Sequence, residues 1–218
     1  MVYRESMDTD ISATIQQSLQ GRLLLTHPFY RRWEAGGLAT LELARYAEQY
    51  RYFEVYLPEF LRRLAARLDE GIAKDAIEAN LKDEVAEPSH LQLFDQFATA
   101  YGAGSSECSP AMSALLAAYR RALDEGGPTA VAALAAYEVQ SGDIAQSKHD
   151  GLRTHYGASP SALEFWFLHG AVEEDHAAWT LDGLASLNPT VDEVVRGVRP
   201  VADSWWEFLN ERESLALV

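Results

Sequence analysis

The sequence predicts an all-α protein, a single bundle of seven helices that forms one domain over residues 1–218. Alanine and leucine are abundant, whereas runs of the β-branched residues typical of strands are nearly absent. Apolar residues recur at intervals of three and four, most clearly between Tyr46 and Leu64. The chain has 218 residues, 48% of them hydrophobic, which is enough to bury a sizeable core.

The seven predicted helices cover approximately residues 8–25, 38–68, 70–100, 110–124, 128–155, 160–186 and 190–213. The stretch "EAGG" separates the first from the second, which contains the apolar stripe and is expected to kink at Pro58. The third contains Pro88, which lacks a backbone donor, so a break in this helix is one possibility that the sequence leaves open.

The later helices are predicted from their starting residues. The pairs Ser109-Pro110 and Ser159-Pro160 each combine an N-cap residue with a proline in the first turn. Thr190 and Glu193 form a capping box at the start of the last helix. Glycine-rich turns such as "DEGGP" and "YGASP" separate these segments.

Composition excludes several classes of function. The net charge of −15 argues against binding to nucleic acid or to anionic membranes. No segment is long and apolar enough to span a membrane, and "MVYRESMDTD" does not resemble a targeting sequence. Cys108 is the only cysteine, so neither an internal disulfide nor a cysteine metal site is expected. A cytoplasmic location is the expectation.

The stretch "HGAVEEDH" places two histidines and three acids in a segment that otherwise resembles a protein core. On a helix, His169, Glu173 and His176 fall within about 60° of one another and can point inward together. Glu173 and His176 also have the Glu-x-x-His spacing with which helical bundles bind paired metals. Buried ionisable groups are costly unless they are paired or bind a metal, so the pattern indicates a metal site.

Two further segments contribute similar groups. Glu84, Glu87 and His90 lie together, and Glu138 interrupts a helix of small apolar residues. Because Glu84 and His90 are about 120° apart on an ideal helix, either the helix breaks between them or Glu87 is the ligand. Carboxylates mixed with imidazoles favour iron or manganese over a metal that prefers thiolates. The residues therefore predict a non-haem site for two metal ions.

These motifs resemble those of the CADD-like proteins, a branch of the haem-oxygenase-like dimetal oxidases. The family's ligands follow the order Glu, His, Glu, His, Asp, His, and the matching positions here are Glu84, His90, Glu138, His169, Glu173 and His176. The stretches "HPFYRRWEAGG" and "YEVQSGDIAQSKHDGLRTHYG" are similar to two further family signatures. This chain has Glu173 where the family usually has Asp, and its spacing from Glu84 to His90 is one residue shorter.

The resemblance implies a haem-oxygenase-like fold, related to the TenA and PqqC folds, and an unusual reaction. CADD-like proteins make 4-aminobenzoate for folate by consuming a tyrosine of their own chain. The matching tyrosine is Tyr30 of "HPFY", and the lysine that supplies the amino nitrogen is Lys148. Tyr46 and Tyr137 match two further tyrosines near that site. The implied cofactors are two metal ions, Fe/Fe or Fe/Mn, with dioxygen and an external reductant, and the implied assembly is a homodimer.

Several alternatives remain open at the level of sequence. The same ligands serve dimetal oxidases that act on an external amine, amino acid or fatty acid. A thiaminase-like enzyme needs an active-site cysteine, but Cys108 lies in the loop "GSSECSP". The quinone-cofactor synthases of this fold use no metal, which the six candidate ligands disfavour. A non-enzymatic interaction protein could bind through the apolar residues of "ADSWWEFL", although packing of the last helix also explains them.

Overall fold

A computed structural model describes residues 10–215, apart from the side chains of residues 171–175. In this part of the chain there are nine α-helices and one short 3-10 helix, rather than seven helices. The α-helices are α1 (Ile11–Leu19), α2 (Pro28–Glu34), α3 (Thr40–Ala65), α4 (Ile72–Glu84), α5 (His90–Ala100), α6 (Pro110–Glu125), α7 (Gly127–His155), α8 (Pro160–Ser186) and α9 (Val191–Ser214). The prediction of an all-helical protein is confirmed for the described residues, whereas the number seven is wrong.

The predicted helix 70–100 is in fact two helices, α4 and α5. The break falls at Pro88, and Ser89 then caps α5 by accepting a hydrogen bond from the backbone N–H of Gln92 at 3.2 Å. The side chain of Gln92 reaches back to the backbone N–H of Ser89, which completes a capping box. The apolar pattern continues across the break, which is why the sequence suggested one helix.

The predicted helix 8–25 is also shorter than expected, and α2 was missed. After α1 the chain turns at Gly21, whose φ of +74° favours glycine, and a 3-10 helix follows at Leu24–Thr26. The N-cap of α2 is His27, whose Nδ1 accepts a hydrogen bond from the backbone N–H of Phe29 at 3.1 Å. Histidine is not among the usual N-cap residues, so the start of α2 lacked a recognisable signal.

The remaining start signals are confirmed. Ser109, Ser159 and Thr190 each accept a hydrogen bond from the backbone of the first turn that follows. Pro58 lies inside α3, which continues on both sides of it. None of the helices in the described ranges is both long and apolar enough to cross a membrane.

The core is organised around α7, which packs against α6, α8 and α9. Five of the seven residues 130–136 of α7 are alanine, and all seven are buried. This allows α9 to approach closely: a Cβ on Gly197 would lie 2.3 Å from the carbonyl oxygen of Thr129. Trp205, Phe208 and Leu209 are fully buried against this core. These three apolar residues of the last helix are therefore packing residues.

Candidate metal centre and the buried lysine cluster

Three side chains of the predicted ligand set lie together inside the bundle. Glu84 is the last residue of α4, His90 is the first residue of α5, and His169 lies in α8. Each offers one ligand atom, and these three atoms lie within 4.8 Å of one another. The exposed fractions are only 4%, 3% and 8%. We call these three residues the metal cluster.

The tautomer and the protonation state of His169 are those of a metal ligand. His169 Nδ1 lies 2.9 Å from the carbonyl oxygen of Phe165, to which its N–H can donate, so Nε2 is the ring nitrogen that carries the lone pair. Burial and the neighbouring His90 hold the pKa of His169 well below its ordinary value, so its imidazole is neutral, as a metal ligand must be.

The contact between His90 and Glu84 also fits a shared cation. His90 Nδ1 and Glu84 Oε2 are 3.0 Å apart, yet their geometry is not that of a hydrogen bond, and Nδ1 has no other hydrogen-bond partner in the described structure. An unsatisfied buried nitrogen costs free energy, which a bound cation would offset. Oxygen and imidazole ligands of this kind suit iron or manganese.

Helix α4 connects this cluster to the other predicted ligands. Asn80 Nδ2 donates a hydrogen bond to Glu138 Oε1 of α7 at 3.3 Å. Asp83 Oδ2 lies 3.2 Å from Nε2 of His176 in α8. Because Asn80, Asp83 and Glu84 are three and four residues apart, they share one face of α4. Side chains on that face of α4 therefore contact residues of α5, α7 and α8.

The six predicted ligands thus fall into three groups. Glu84, His90 and His169 form the metal cluster, and of the two acids left open by the sequence, Glu84 is buried there while Glu87 is exposed. Glu138 and His176 are buried beside α4 but belong to no such three-residue group in the described part of the chain. The side chain of Glu173 lies outside the described residues.

The predicted lysine and tyrosine lie together in a second buried region. The Lys148 side chain of α7 is 1% exposed, and its Nζ donates a hydrogen bond to the hydroxyl of Tyr46 at 2.7 Å. The Tyr46 hydroxyl lies 3.0 Å from that of Tyr30. Lys148 Nζ is also 4.6 Å from the centre of the Tyr30 ring. We call these three residues the lysine cluster.

Aromatic rings enclose the lysine. Besides the two tyrosine rings of the lysine cluster, the rings within 6 Å of Nζ are those of Trp33, Tyr50 and Trp166. Burial in these surroundings lowers the pKa of Lys148 well below its ordinary value and raises the pKa of Tyr30 and Tyr46. Burial therefore favours the uncharged forms of the amine and of the two phenols.

Tyr137, the fourth predicted residue, lies at the edge of this region. Its hydroxyl is 2.9 Å from that of Tyr50, and its ring stacks on Trp205 with centres 4.7 Å apart. Tyr50 in turn stacks on Tyr46, with ring centres 5.3 Å apart. Tyr137 is thus connected to the lysine cluster through Tyr50.

The sequence reasoning missed Glu54. This carboxylate is 3% exposed, and its Oε2 has no hydrogen-bond partner among the described residues. Burial and the charge of Glu84 raise the pKa of Glu54, while the charge of Lys148 lowers it, so the electrostatic influence of both clusters reaches this residue. A signal did exist, since Glu54 follows Tyr46 and Tyr50 at helical intervals of four.

An all-helical bundle that buries carboxylate and imidazole ligands on facing helices is typical of non-haem metal proteins. Residues 44–207 match the family model described as iron-containing redox enzyme, and this chain belongs to that family. A relative named 4-aminobenzoate synthase, from Chlamydia pneumoniae, is 30% identical over 207 residues, covering 90% of this chain and 92% of the relative.

Solved structures confirm the fold. A CADD-like protein of unknown function from Nostoc punctiforme superposes with a TM-score of 0.78 at 19% identity, covering 97% of this chain and 99% of that one. A TenA homologue from Pseudomonas syringae gives a TM-score of 0.80 at 13% identity, covering 94% and 93%. The resemblance to the CADD-like proteins and the expectation of a TenA-like fold are confirmed.

Proposed function

We propose that this protein is an oxygen-dependent dimetal enzyme that makes 4-aminobenzoate from its own Tyr30, with Lys148 as the amino donor. The printed name of the Chlamydia relative supports the product. The single observation that supports the source of the atoms is the position of Lys148 Nζ, 4.6 Å from the centre of the Tyr30 ring. An oxidase acting on an external substrate has no need for a buried amine against a tyrosine ring.

The metal cluster would hold the ions together with Glu138, Glu173 and His176. Either two irons or iron with manganese would suit these ligands. When bound, the metal pair supplies the redox chemistry that couples the reduction of dioxygen to the oxidation of a nearby phenol, with electrons from an external reductant. Neutral His169 provides a lone pair without first having to lose a proton.

The residues of the lysine cluster would position the reacting atoms. Tyr46 holds Lys148 Nζ by a hydrogen bond and holds the Tyr30 hydroxyl at 3.0 Å, so amine and ring face each other before reaction. The lowered pKa of Lys148 favours the unprotonated amine, whose lone pair bond formation requires.

The net change on the protein is then defined. A ring C–N bond forms at the phenol carbon of Tyr30, whose oxygen leaves as water, and the Cε–Nζ bond of Lys148 then breaks as dioxygen oxidises Cε to an aldehyde. Cleavage of the Tyr30 Cα–Cβ bond releases the ring and leaves a hydrogen on Cα, so that position 30 becomes a glycine, and Cβ is oxidised to the carboxylate with dioxygen as oxidant. Both residues are consumed, so each chain can complete one turnover.

The test is an incubation of protein purified from cells fed lysine labelled with ¹⁵N at Nζ. The protein receives ferrous iron, manganese, reductant and air, and liquid chromatography with mass spectrometry follows 4-aminobenzoate and the peptides containing Tyr30 and Lys148. We expect at most one equivalent of product per chain, heavier by one mass unit, with loss of mass at both residues. Unlabelled product would exclude Lys148 as the amino donor, and many turnovers with both peptides intact would instead identify an oxidase with an external substrate.

A further inference from the structure

A cavity of about 440 Å³ lies beside the metal cluster, between α8 and the linker that joins α4 to α5. Among its lining residues are Asp83, Glu87, His90 and Glu164. Glu87 and Glu164 are exposed at the surface, whereas His90 is buried, so the cavity leads from solvent to the metal cluster. The cavity has a single sign of charge, since no lysine or arginine is among the described residues that line it.

The buried end of the cavity offers a nitrogen ligand. His90 is 3% exposed, and its Nδ1 has no hydrogen-bond partner in the described structure. Asp83 is intermediate in exposure: its side chain is 40% exposed, yet its Oδ2 is 3.2 Å from Nε2 of buried His176. The lining therefore includes two exposed carboxylates, one half-buried carboxylate and the buried imidazole of His90.

We propose that this cavity is the route by which a divalent cation enters the metal cluster. Exposed carboxylates at the mouth raise the local concentration of cations and bind a hydrated ion weakly through oxygen. The nitrogen of His90 at the buried end then replaces part of the ion's water shell. The proposal rests on the proposed function in one respect, that the metal cluster binds a metal ion.

The test measures the rate of Co²⁺ uptake by metal-free protein, using the visible absorbance of bound Co²⁺ in a stopped-flow instrument. The double variant Glu87→Gln/Glu164→Gln removes two charges from the mouth without changing the shape of either side chain. Its association rate should fall about three- to tenfold at low ionic strength, with less difference at high salt, while the amount bound at equilibrium is unchanged.

The matched control is Glu59→Gln/Glu125→Gln, which removes two exposed carboxylates that do not line the cavity. It changes the net charge equally and should leave the rate within about twofold of the native protein if local charge is the cause. A similar slowing in the control and in the cavity variant would overturn the proposal, because the net charge alone would then explain it.

A second variant tests the route apart from its charge. Ala86 lines the cavity at an exposed position, and Ala86→Trp should narrow it and slow uptake while all three carboxylates remain. Native uptake rates in both the Ala86→Trp and the Glu87→Gln/Glu164→Gln proteins would contradict the route. A loss of bound Co²⁺ at equilibrium in the Glu87→Gln/Glu164→Gln protein would also contradict it. If native protein bound no Co²⁺ at all, the metal centre itself, and not its entrance, would be wrong.

Discussion

The metal cluster and the lysine cluster are two buried regions of one bundle, built in opposite ways. Around the metal cluster, α4 contributes polar side chains that reach α5, α7 and α8. Around Lys148, by contrast, the neighbours are mostly aromatic rings. Burial lowers the pKa of both His169 and Lys148. The same cause thus favours a neutral imidazole that can bind a cation in one region and an uncharged amine beside a phenol in the other.

The two regions are nevertheless adjacent along the helices that form them. On α8, Trp166 contacts Lys148 and is followed one turn later by His169 of the metal cluster. On α3, Tyr46 of the lysine cluster is followed two turns later by Glu54, whose pKa is affected by Glu84. If the proposed function is right, loss of a ligand in the metal cluster should abolish both metal binding and product formation. A variant in the lysine cluster should instead abolish product formation and leave metal binding intact.

The largest effect is expected for His169→Ala, which removes a ligand and should abolish both metal binding and product formation. Metal content is measured by mass spectrometry of the desalted protein, and product by chromatography. The control His149→Ala removes a half-buried histidine of α7 that contacts Asp150, and it should retain both. A His169→Ala protein with native metal content would remove His169 from the ligand set.

Tyr30→Phe should separate the two regions, because it removes one hydroxyl from the lysine cluster and leaves the metal cluster intact. We expect native metal content, no product, and a loss of about 1 kcal/mol in the free energy of unfolding from the missing hydrogen bond. The matched control is Tyr119→Phe, which also removes a buried hydroxyl, one that accepts a hydrogen bond from Trp205. Product at the native yield from Tyr30→Phe would end the proposal of self-consumption.

Lys148→Met should abolish product yet stabilise the fold. Replacing a buried ionisable group by an apolar one of similar size can raise the free energy of unfolding by about 1–4 kcal/mol. Between the lowered pKa of folded Lys148 and the ordinary lysine value, the unfolded chain holds a proton that the folded chain does not. Native stability therefore rises with pH in this window, and the advantage of Lys148→Met shrinks by at most about 1.4 kcal/mol per pH unit.

Urea unfolding at several values between pH 7 and pH 9 measures this difference. The control is Lys82→Met, an exposed position on α4 at which the stability difference should not depend on pH over this range. A difference between native protein and Lys148→Met that is constant with pH would mean that Lys148 remains protonated in the folded state.

The helices with regular start signals could be predicted from the sequence, and the others could not. Ser109, Ser159 and Thr190 gave correct helix starts because their side chains cap the first turn locally. The start of α2 at His27 depends on an unusual cap. The break at Pro88 was left open because the apolar pattern continues on both sides of it.

The part of the candidate site that lies on one helix could be predicted from the sequence, whereas contacts between separate helices could not. Spacing on one helix brings His169 and His176 to the same face, but the contact between Glu84 and His90 crosses a helix break that spacing cannot describe. Tyr30 could be found only through the family resemblance, since a tyrosine after a proline has no local signature. Asp83 was missed because its partner, His176, is 93 residues away in the sequence.

Asp83 provides the finest test of how the metal region is built. Asp83→Asn keeps the shape of the side chain but removes the negative charge next to Nε2 of His176. If Asp83 orients and polarises this histidine, equilibrium affinity for Co²⁺ or Mn²⁺ should fall about tenfold, the lower end of the effect usual for such supporting carboxylates. The control Asp75→Asn, an exposed acid on the same helix, should leave the affinity unchanged. A higher affinity in Asp83→Asn would reverse the interpretation, because Asp83 would then compete with the metal for His176.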